Sequence, residues 1–227
     1  MSGDRASAAR NNAEWCDIVG AAHGLPGRTD ADAWSVPRRS PRWYPDAVTL
    51  RSGVAAESLL GRIDPGPGAS VKDSFADLDL RPYGFRVLFT ADWIHRAAAD
   101  RATDPTGESG SQLTLVGTPD ELATWAAAHG GGELFRPALL DDPRVTVLAR
   151  YSDDGTVTGG AVLNRSGAVT GVSNVFNVAD DVSPIWAGLR AATDGATLVG
   201  YEAGDDLAPA LRVGFRTAGP LRVWVHD

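Results

Sequence analysis

The chain has 227 residues, 43% of them hydrophobic and 22% charged, and a net charge of −8. That length can bury a substantial core, in one large domain or in one domain plus a smaller half. The negative balance argues against nucleic-acid binding, which needs clustered cations, and no apolar run approaches the length of a membrane span.

The basic residues are almost all arginine. Lys72 is the single lysine, and no basic patch stands out except Arg38-Arg39 with Arg42. The single cysteine, Cys16, cannot form an internal disulfide. With no apolar leader at the N-terminus, the expected home is a reducing cytoplasm.

Residues 1–10 are small and polar and are expected to fray. Residues 11–22 carry Trp15, Ile18, Val19 and Ala22 at helical spacing, with Gly24 as the stop. Residues 25–46 are rich in Pro, Arg and Asp, with Trp34, Trp43 and Tyr44 embedded. Aromatics in an irregular stretch either pin a loop onto a core or line a pocket. Residues 47–51 read as a strand, 55–63 as a short helix and 64–68 as a Pro/Gly loop. Residues 70–80 have mixed periodicity and stay unassigned. Residues 85–90 form a strand, followed by Trp93 and Ile94. Residues 98–111 are turn-forming and lack apolar periodicity. The linker is therefore placed at 101–112, between a half spanning 1–100 and a domain spanning 113–227.

In the second half, residues 113–116 read as a strand. Thr118-Pro119-Asp120-Glu121 is a capping box with proline at the first helical position, so a helix runs to about residue 128. Gly130-Gly131-Gly132 ends it. Residues 145–151, 156–164 and 168–176, separated by turn residues, form a three-stranded antiparallel meander. Ser183-Pro184 caps a helix to about residue 192, and Asp194-Gly195 leads into a buried strand at 196–201. Asp205 or Asp206 offers the cap of a last helix, with Pro209 in its first turn and Leu207, Leu211 and Ala210 as its buried stripe. Gly214 closes it as a left-handed cap, Phe215 turns back into the core, and 221–225 form a half-buried strand.

Two internal echoes are present. Tyr83-Gly84-Phe85-Arg86 matches Val213-Gly214-Phe215-Arg216. Val48-Thr49-Leu50 precedes a helix much as Leu113-Thr114-Leu115 does. A degenerate duplication and chance are both compatible with matches this short.

The order of elements over 113–227, with Ala210-Leu211-Arg212-Val213-Gly214-Phe215 followed by Gly219-Pro220-Leu221, resembles the GNAT acyltransferase superfamily. Its enzymes move an acyl group from a coenzyme A thioester to an amine. The resemblance implies an α/β protein of the α+β type. It would have a GNAT-like mixed, mostly antiparallel sheet with flanking helices. A smaller N-terminal α/β half, read as an addition or a remnant repeat, would pack on it. The implied cofactor is acetyl-CoA or another acyl-CoA, and the implied partner a small-molecule amine; a homodimer is left open. The donor's arm would lie along Val175, Phe176, Asn177 and Val178, where the third meander strand splays from the next parallel strand. Its pyrophosphate would sit at residues 179–186, including Ser183 and Trp186, on free N–H groups of a helix start.

The chain departs from the family at that turn. The Arg/Gln-x-x-Gly-x-Gly/Ala pattern is replaced by Asp180-Asp181-Val182-Ser183-Pro184-Ile185-Trp186. Two carboxylates would face a pyrophosphate, and Pro184 removes one N–H donor. Ala210 stands where the family places a tyrosine acid.

Tyr201 and Glu202 lie at the end of the parallel strand. There Glu202 could accept a proton from an ammonium and Tyr201 could protonate a departing thiolate. The plainer reading makes Glu202 a solvated strand end and Tyr201 core. Asn174 and Asn177 are either polar contacts in the cleft or turn and edge residues. Trp15, Trp34, Trp43 and Tyr44 are candidate walls of the acceptor pocket. His23, His95, His129 and His226 lack metal-ligand spacing, so no metal is expected. No Gly-x-Ser-x-Gly elbow and no Gly-rich nucleotide loop exists. Cys16 reads as a buried small hydrophobe. Three functions therefore stand beside one another: an acyl-CoA-dependent N-acyltransferase, a non-catalytic binding or assembly module that kept the fold, and direct recognition of a cation by Asp180, Asp181 and Glu202.

Overall fold

The chain opens on helix α1, Ser2–Ala22, so the expected fraying of the first ten residues is not seen. Alanine is the strongest helix former, and Ala6, Ala8 and Ala9 fall in this segment. Arg5 then anchors the helix. Its Nε donates to the Ser74 carbonyl at 3.0 Å, its Nη2 to the Pro220 carbonyl, and its guanidinium lies 5.0 Å from the centre of the Phe75 ring. The computed structural model describes residues 2–98, 112–193 and 195–227. The linker expected at 101–112 lies almost wholly outside the described residues, as does Asp194.

After α1 come β1 (Arg28–Thr29), β2 (Ala33–Ser35), β3 (Ala47–Thr49), α2 (Ala56–Leu60), β4 (Ser70–Asp73) and β5 (Phe85–Arg96). Then follow β6 (Thr114–Leu115), α3 (Pro119–His129), β7 (Val145–Tyr151), β8 (Val157–Ser166) and β9 (Val169–Asn177). The chain finishes with α4 (Ser183–Ala192), β10 (Thr197–Glu202), α5 (Leu207–Arg212) and β11 (Arg216–His226). Two compact units result: residues 1–93 with 217–227, and residues 94–216. The last strand thus groups with the N-terminal half.

In the first unit the strand order is β1-β2-β3-β4-β11-β5. The pairs β1–β2, β2–β3 and β4–β11 are antiparallel, and β3–β4 is parallel, with Ala47↔Val71 and Val48↔Lys72 in register. Leu59, Leu80, Val71, Phe85 and Trp224 share one apolar core. Cys16, Trp34, Val48 and Leu50 share another under α1.

In the second unit the order is β6-β7-β8-β9-β10, then the end of β5. All pairs from β6 to β9 are antiparallel and β9–β10 is parallel. Ile185, Trp186 and Leu189 of α4 pack with Ile94, Leu163, Val172, Leu198 and Phe215. The expected capping box holds: Thr118 accepts from the Glu121 N–H, and Glu121 reaches back to the Thr118 N–H. Two other expected caps do not. Neither Ser183 nor Asp205/Asp206 caps a helix by its side chain. The buried stripe of α5 is Pro209 and Ala210, with Leu211 exposed, because six residues make too short a helix to bury a two-turn stripe.

In chain order, α1 to β5 and α3 to β11 run through the same series: a helix, a three-strand antiparallel meander, a helix, a strand parallel to the last meander strand, a short helical turn and a long strand. The Gly-Phe echo falls on equivalent places. Gly84 (φ 83°) and Gly214 (φ 94°) are both left-handed, and each precedes a buried phenylalanine that opens or leads into the long strand. Phe85 meets His226 edge-on at 5.0 Å and Phe215 meets Trp186 edge-on at 5.1 Å. The other echo is out of phase, since β3 corresponds in order to β9 and not to β6.

Candidate active site

The second unit's parallel pair is short. Thr197↔Val169, Leu198↔Thr170 and Val199↔Gly171 are in register, and there the ladder ends. Yet β9 runs on to Asn177 and β10 to Glu202. A parallel pair that stops while both strands continue leaves unpaired strand backbone on facing edges. Gly200 stands at this parting point. A Cβ there would meet the Val172 carbonyl oxygen at 2.8 Å, so only glycine lets the strands approach before they separate.

The outer edge of β9 carries a bulge at the same level. Against β8 the register passes from Gly160↔Phe176 to Val162↔Ser173, so Ala161 alone faces Asn174 and Val175. Such a bulge takes backbone out of the ladder and bends the strand. Asn174 absorbs the bend at φ 53°, a left-handed conformation uncommon outside glycine, and its Nδ2 lies 3.0 Å from the Ser173 hydroxyl. Asn174 and Glu202 are each three residues beyond the last paired residues, Gly171 and Val199, and so stand level along the two parting strands.

Glu202 is the unusual group here. It is half-buried, and burial first, then the nearby Asp206 carboxylate, push its pKa from 4.5 up to about 8. A carboxyl poised there can take or give a proton near neutral pH. Tyr201 is half-buried beside it. Alternation along a strand turns consecutive side chains to opposite faces, so Tyr201 and Glu202 flank β10 on its two sides.

The sequence-predicted donor-binding residues have separate fates. Val175 is half-buried against the α4 core. Phe176 meets Trp125 and His129 edge-on at 5.2 and 5.1 Å. Val178 is exposed, but its N–H donates to the Thr158 carbonyl at 2.9 Å. Trp186 is buried against Phe215, and its indole N–H has no hydrogen-bond partner among the described residues.

The turn into α4 is tied to itself. Asp181 Oδ1 accepts the Ser183 N–H at 3.0 Å, Asn177 Nδ2 donates to the Asp181 carbonyl, and Arg212 Nη2 donates to Ser183 Oγ at 2.7 Å. Hydrogen bonding to Ser183 and the Arg212 charge hold the Asp181 carboxyl below the usual range. The edge of β9 that parts from β10 is open to an extended chain, whereas the start of α4 presents a carboxylate and bonded N–H groups where a diphosphate needs free donors.

In the first unit, Trp15 and Trp34 are buried, with Trp34 Nε1 donating to Asp17 at 3.0 Å and Trp15 lying 6.3 Å from the Tyr44 ring. Trp43 is exposed, at φ 73°, with Arg42 over its ring. Both buried tryptophans are thus spent in packing.

Reading the sequence alone missed the aromatic support behind β9. Trp125 and His129, four residues apart on α3, stack at 5.2 Å, and Phe135 closes on both edge-on. Burial drops the His129 pKa to about 4, so its ring is neutral at physiological pH. The signals were present: an i, i+4 aromatic pair, and Gly160 facing it. A Cβ on Gly160 would come within 2.3 Å of Trp125 Nε1. Among the described residues no cluster of His, Cys, Asp or Glu could hold a metal, and no helix is long and apolar enough to cross a membrane.

No protein-family model and no curated protein matches the sequence. Solved structures do match the fold. A GCN5-related N-acetyltransferase from Kribbella flavida is similar at 17% identity and a TM-score of 0.64, over 97% of this chain and 95% of that one. A GCN5-related N-acetyltransferase-like protein from Streptococcus suis is similar at 13% identity and a TM-score of 0.53, over all of both chains. A GCN5-related N-acetyltransferase from Sphaerobacter thermophilus is similar at 11% identity and a TM-score of 0.50, over 96% and 92%. The chain therefore has a GNAT-like fold, mixed and mostly antiparallel with flanking helices. The likeness spans the first unit as well as the second.

Proposed function

We propose that the chain is an N-acyltransferase that moves an acyl group from a thioester donor, acetyl-CoA or another acyl-CoA, to a small amine. The observation that carries this reading is the Glu202 carboxyl, raised to about 8, level in register with the bulge at Asn174 where β9 and β10 part. The donor supplies an activated acyl carbonyl. Glu202 takes a proton from the incoming ammonium, leaving a neutral amine with a free lone pair. Strand-backbone N–H groups released at the bulge receive the negative charge that develops on the carbonyl oxygen. A C–N bond forms and the C–S bond breaks; Tyr201, on the opposite face of β10, protonates the departing thiolate, the second proton that the nitrogen sheds as it becomes an amide restores the Tyr201 hydroxyl, and Glu202 passes its proton to solvent. Amine and thioester become amide and thiol, with no other reactant. Asn174 is the acceptor-side contact within this unit.

A second reading is favoured by one observation, the Asp181 carboxylate that precedes α4 and accepts the Ser183 N–H at the helix start. In that reading the fold persists as a non-catalytic ligand-binding or assembly module. Thiol release separates the two. With acetyl-CoA and a panel of small primary amines, the first reading expects amine-dependent thiol release that Glu202→Gln abolishes. Release that no amine stimulates, or that survives Glu202→Gln unchanged, selects the second.

A further inference from the structure

We infer that Asp181 closes the N-terminus of α4 from within, so that a thioester donor is held by its arm alone and its diphosphate adds nothing to affinity. The inference rests on the thioester reading above. A helix start attracts anions because its first N–H groups lack partners and its dipole is positive there. At α4 the first-turn donors are spent. The Ser183 N–H goes to Asp181 Oδ1 at 3.0 Å, Pro184 has none, and the Ile185 and Trp186 N–H groups both reach the Val182 carbonyl, at 3.0 and 3.1 Å. The preceding amides turn inward too, from Asp180 to the Asn177 carbonyl at 3.0 Å and from Asp181 to the Ala179 carbonyl at 2.9 Å. The nearby cation, Arg212, is drawn to Ser183 at 2.7 Å on the same side as the carboxylate. A diphosphate arriving here would meet an anion already seated, with the exposed Asp180 carboxylate beside it, and like charges at contact distance repel.

Asp181 is therefore a specificity-determining residue: it makes a donor that lacks the nucleotide as good as one that carries it. Calorimetric titration of the wild type with CoA and with pantetheine tests this without turnover. Dissociation constants within about tenfold of each other are expected. CoA binding more than about tenfold tighter than pantetheine overturns the inference. In Asp181→Ala, CoA is expected to bind about tenfold tighter than to wild type while pantetheine is unchanged; an unchanged CoA affinity also overturns it. Asp181→Asn keeps an oxygen acceptor for Ser183 and removes only the charge, and it serves in place of the alanine variant if that one fails to fold. If the wild type binds neither ligand, the thioester reading falls, and inorganic pyrophosphate titrated into the Asp181 variant decides this inference. Binding gained over wild type upholds it, and no gain overturns it.

Discussion

In the first unit the parallel pair β3–β4 ends in a knot of hydrogen bonds, whereas in the second the pair β9–β10 ends in a bulge and a protonatable carboxyl. Past the Val48↔Lys72 pair, the Ser74 N–H is taken by Thr49 Oγ1 at 2.8 Å, and the Ser74 carbonyl receives both Arg5 Nε and Trp93 Nε1. Lys72 Nζ is buried and donates to Asn12 Oδ1 of α1 at 2.8 Å. Asp73, fully buried, accepts N–H groups from Phe75, Asp77 and Leu78. Past Val199↔Gly171 the second unit keeps a left-handed asparagine and a glutamate whose pKa is raised to about 8. One order of elements has been put to two uses. In the first unit these hydrogen bonds tie the parting strands together as scaffold, although Ser74 Oγ has no partner among the described residues and burial raises the Asp73 carboxyl as well. In the second unit the left-handed Asn174 and the raised Glu202 carboxyl stand instead at open strand ends, which is what makes them candidates for function.

The largest effect expected from this contrast is kinetic. Glu202→Gln should cut kcat about 10²–10³-fold, the usual worth of a positioned general base, with the melting temperature preserved or raised. Lys72→Ala in the first unit should do the opposite. It strands the buried Asn12 carbonyl and opens a cavity, costing about 2–3 kcal/mol in denaturant unfolding, while kcat of the folded enzyme stays unchanged. If Lys72→Ala lost kcat without losing stability, the scaffold assignment would be wrong.

A pH series sharpens the same contrast. The Glu202 pKa is higher in the folded protein, about 8, than its ordinary 4.5. The native state therefore binds the proton more tightly, and stability from this group is full below about 4.5 and is lost as pH rises through 8. Glu202→Gln should remove that decline, so its melting temperature should exceed wild type by a few degrees at pH 9 and match it at pH 4. The smallest effect is at the bulge. Asn174→Ala should cost about 1 kcal/mol for its positive φ, and Asn174→Gly should cost nothing, both read by thermal unfolding.

Much of this architecture was legible in the sequence because local rules act locally. The capping box at Thr118, the meander turns and the Gly214 cap need only neighbouring residues. What escaped depends on distant partners. Residues 2–10 look frayed until Arg5 finds Ser74, Phe75 and Pro220. Residues 70–80 lack a period because Lys72, Asp73 and Ser74 are polar yet buried, Lys72 and Ser74 on distant partners and Asp73 on the N–H groups of its own following turn. The Gly-Phe echo at Phe85 and Phe215 was visible, but its meaning required the shared order of elements. At the candidate site, Asp180-Asp181 announced trouble for a phosphate from sequence alone. Which carboxylate does the closing is a matter of geometry, with Asp181 on Ser183.

The most direct test of the account is the pH–rate profile of amine acylation, with kcat/KM followed from about pH 6 to pH 10. The account predicts a rate that rises with one proton lost near pH 8 and then levels, with that limb absent in Glu202→Gln. A wild-type profile flat across pH 8, or an unchanged limb in the glutamine variant, would contradict it and leave the second unit's parted strands without a catalytic base.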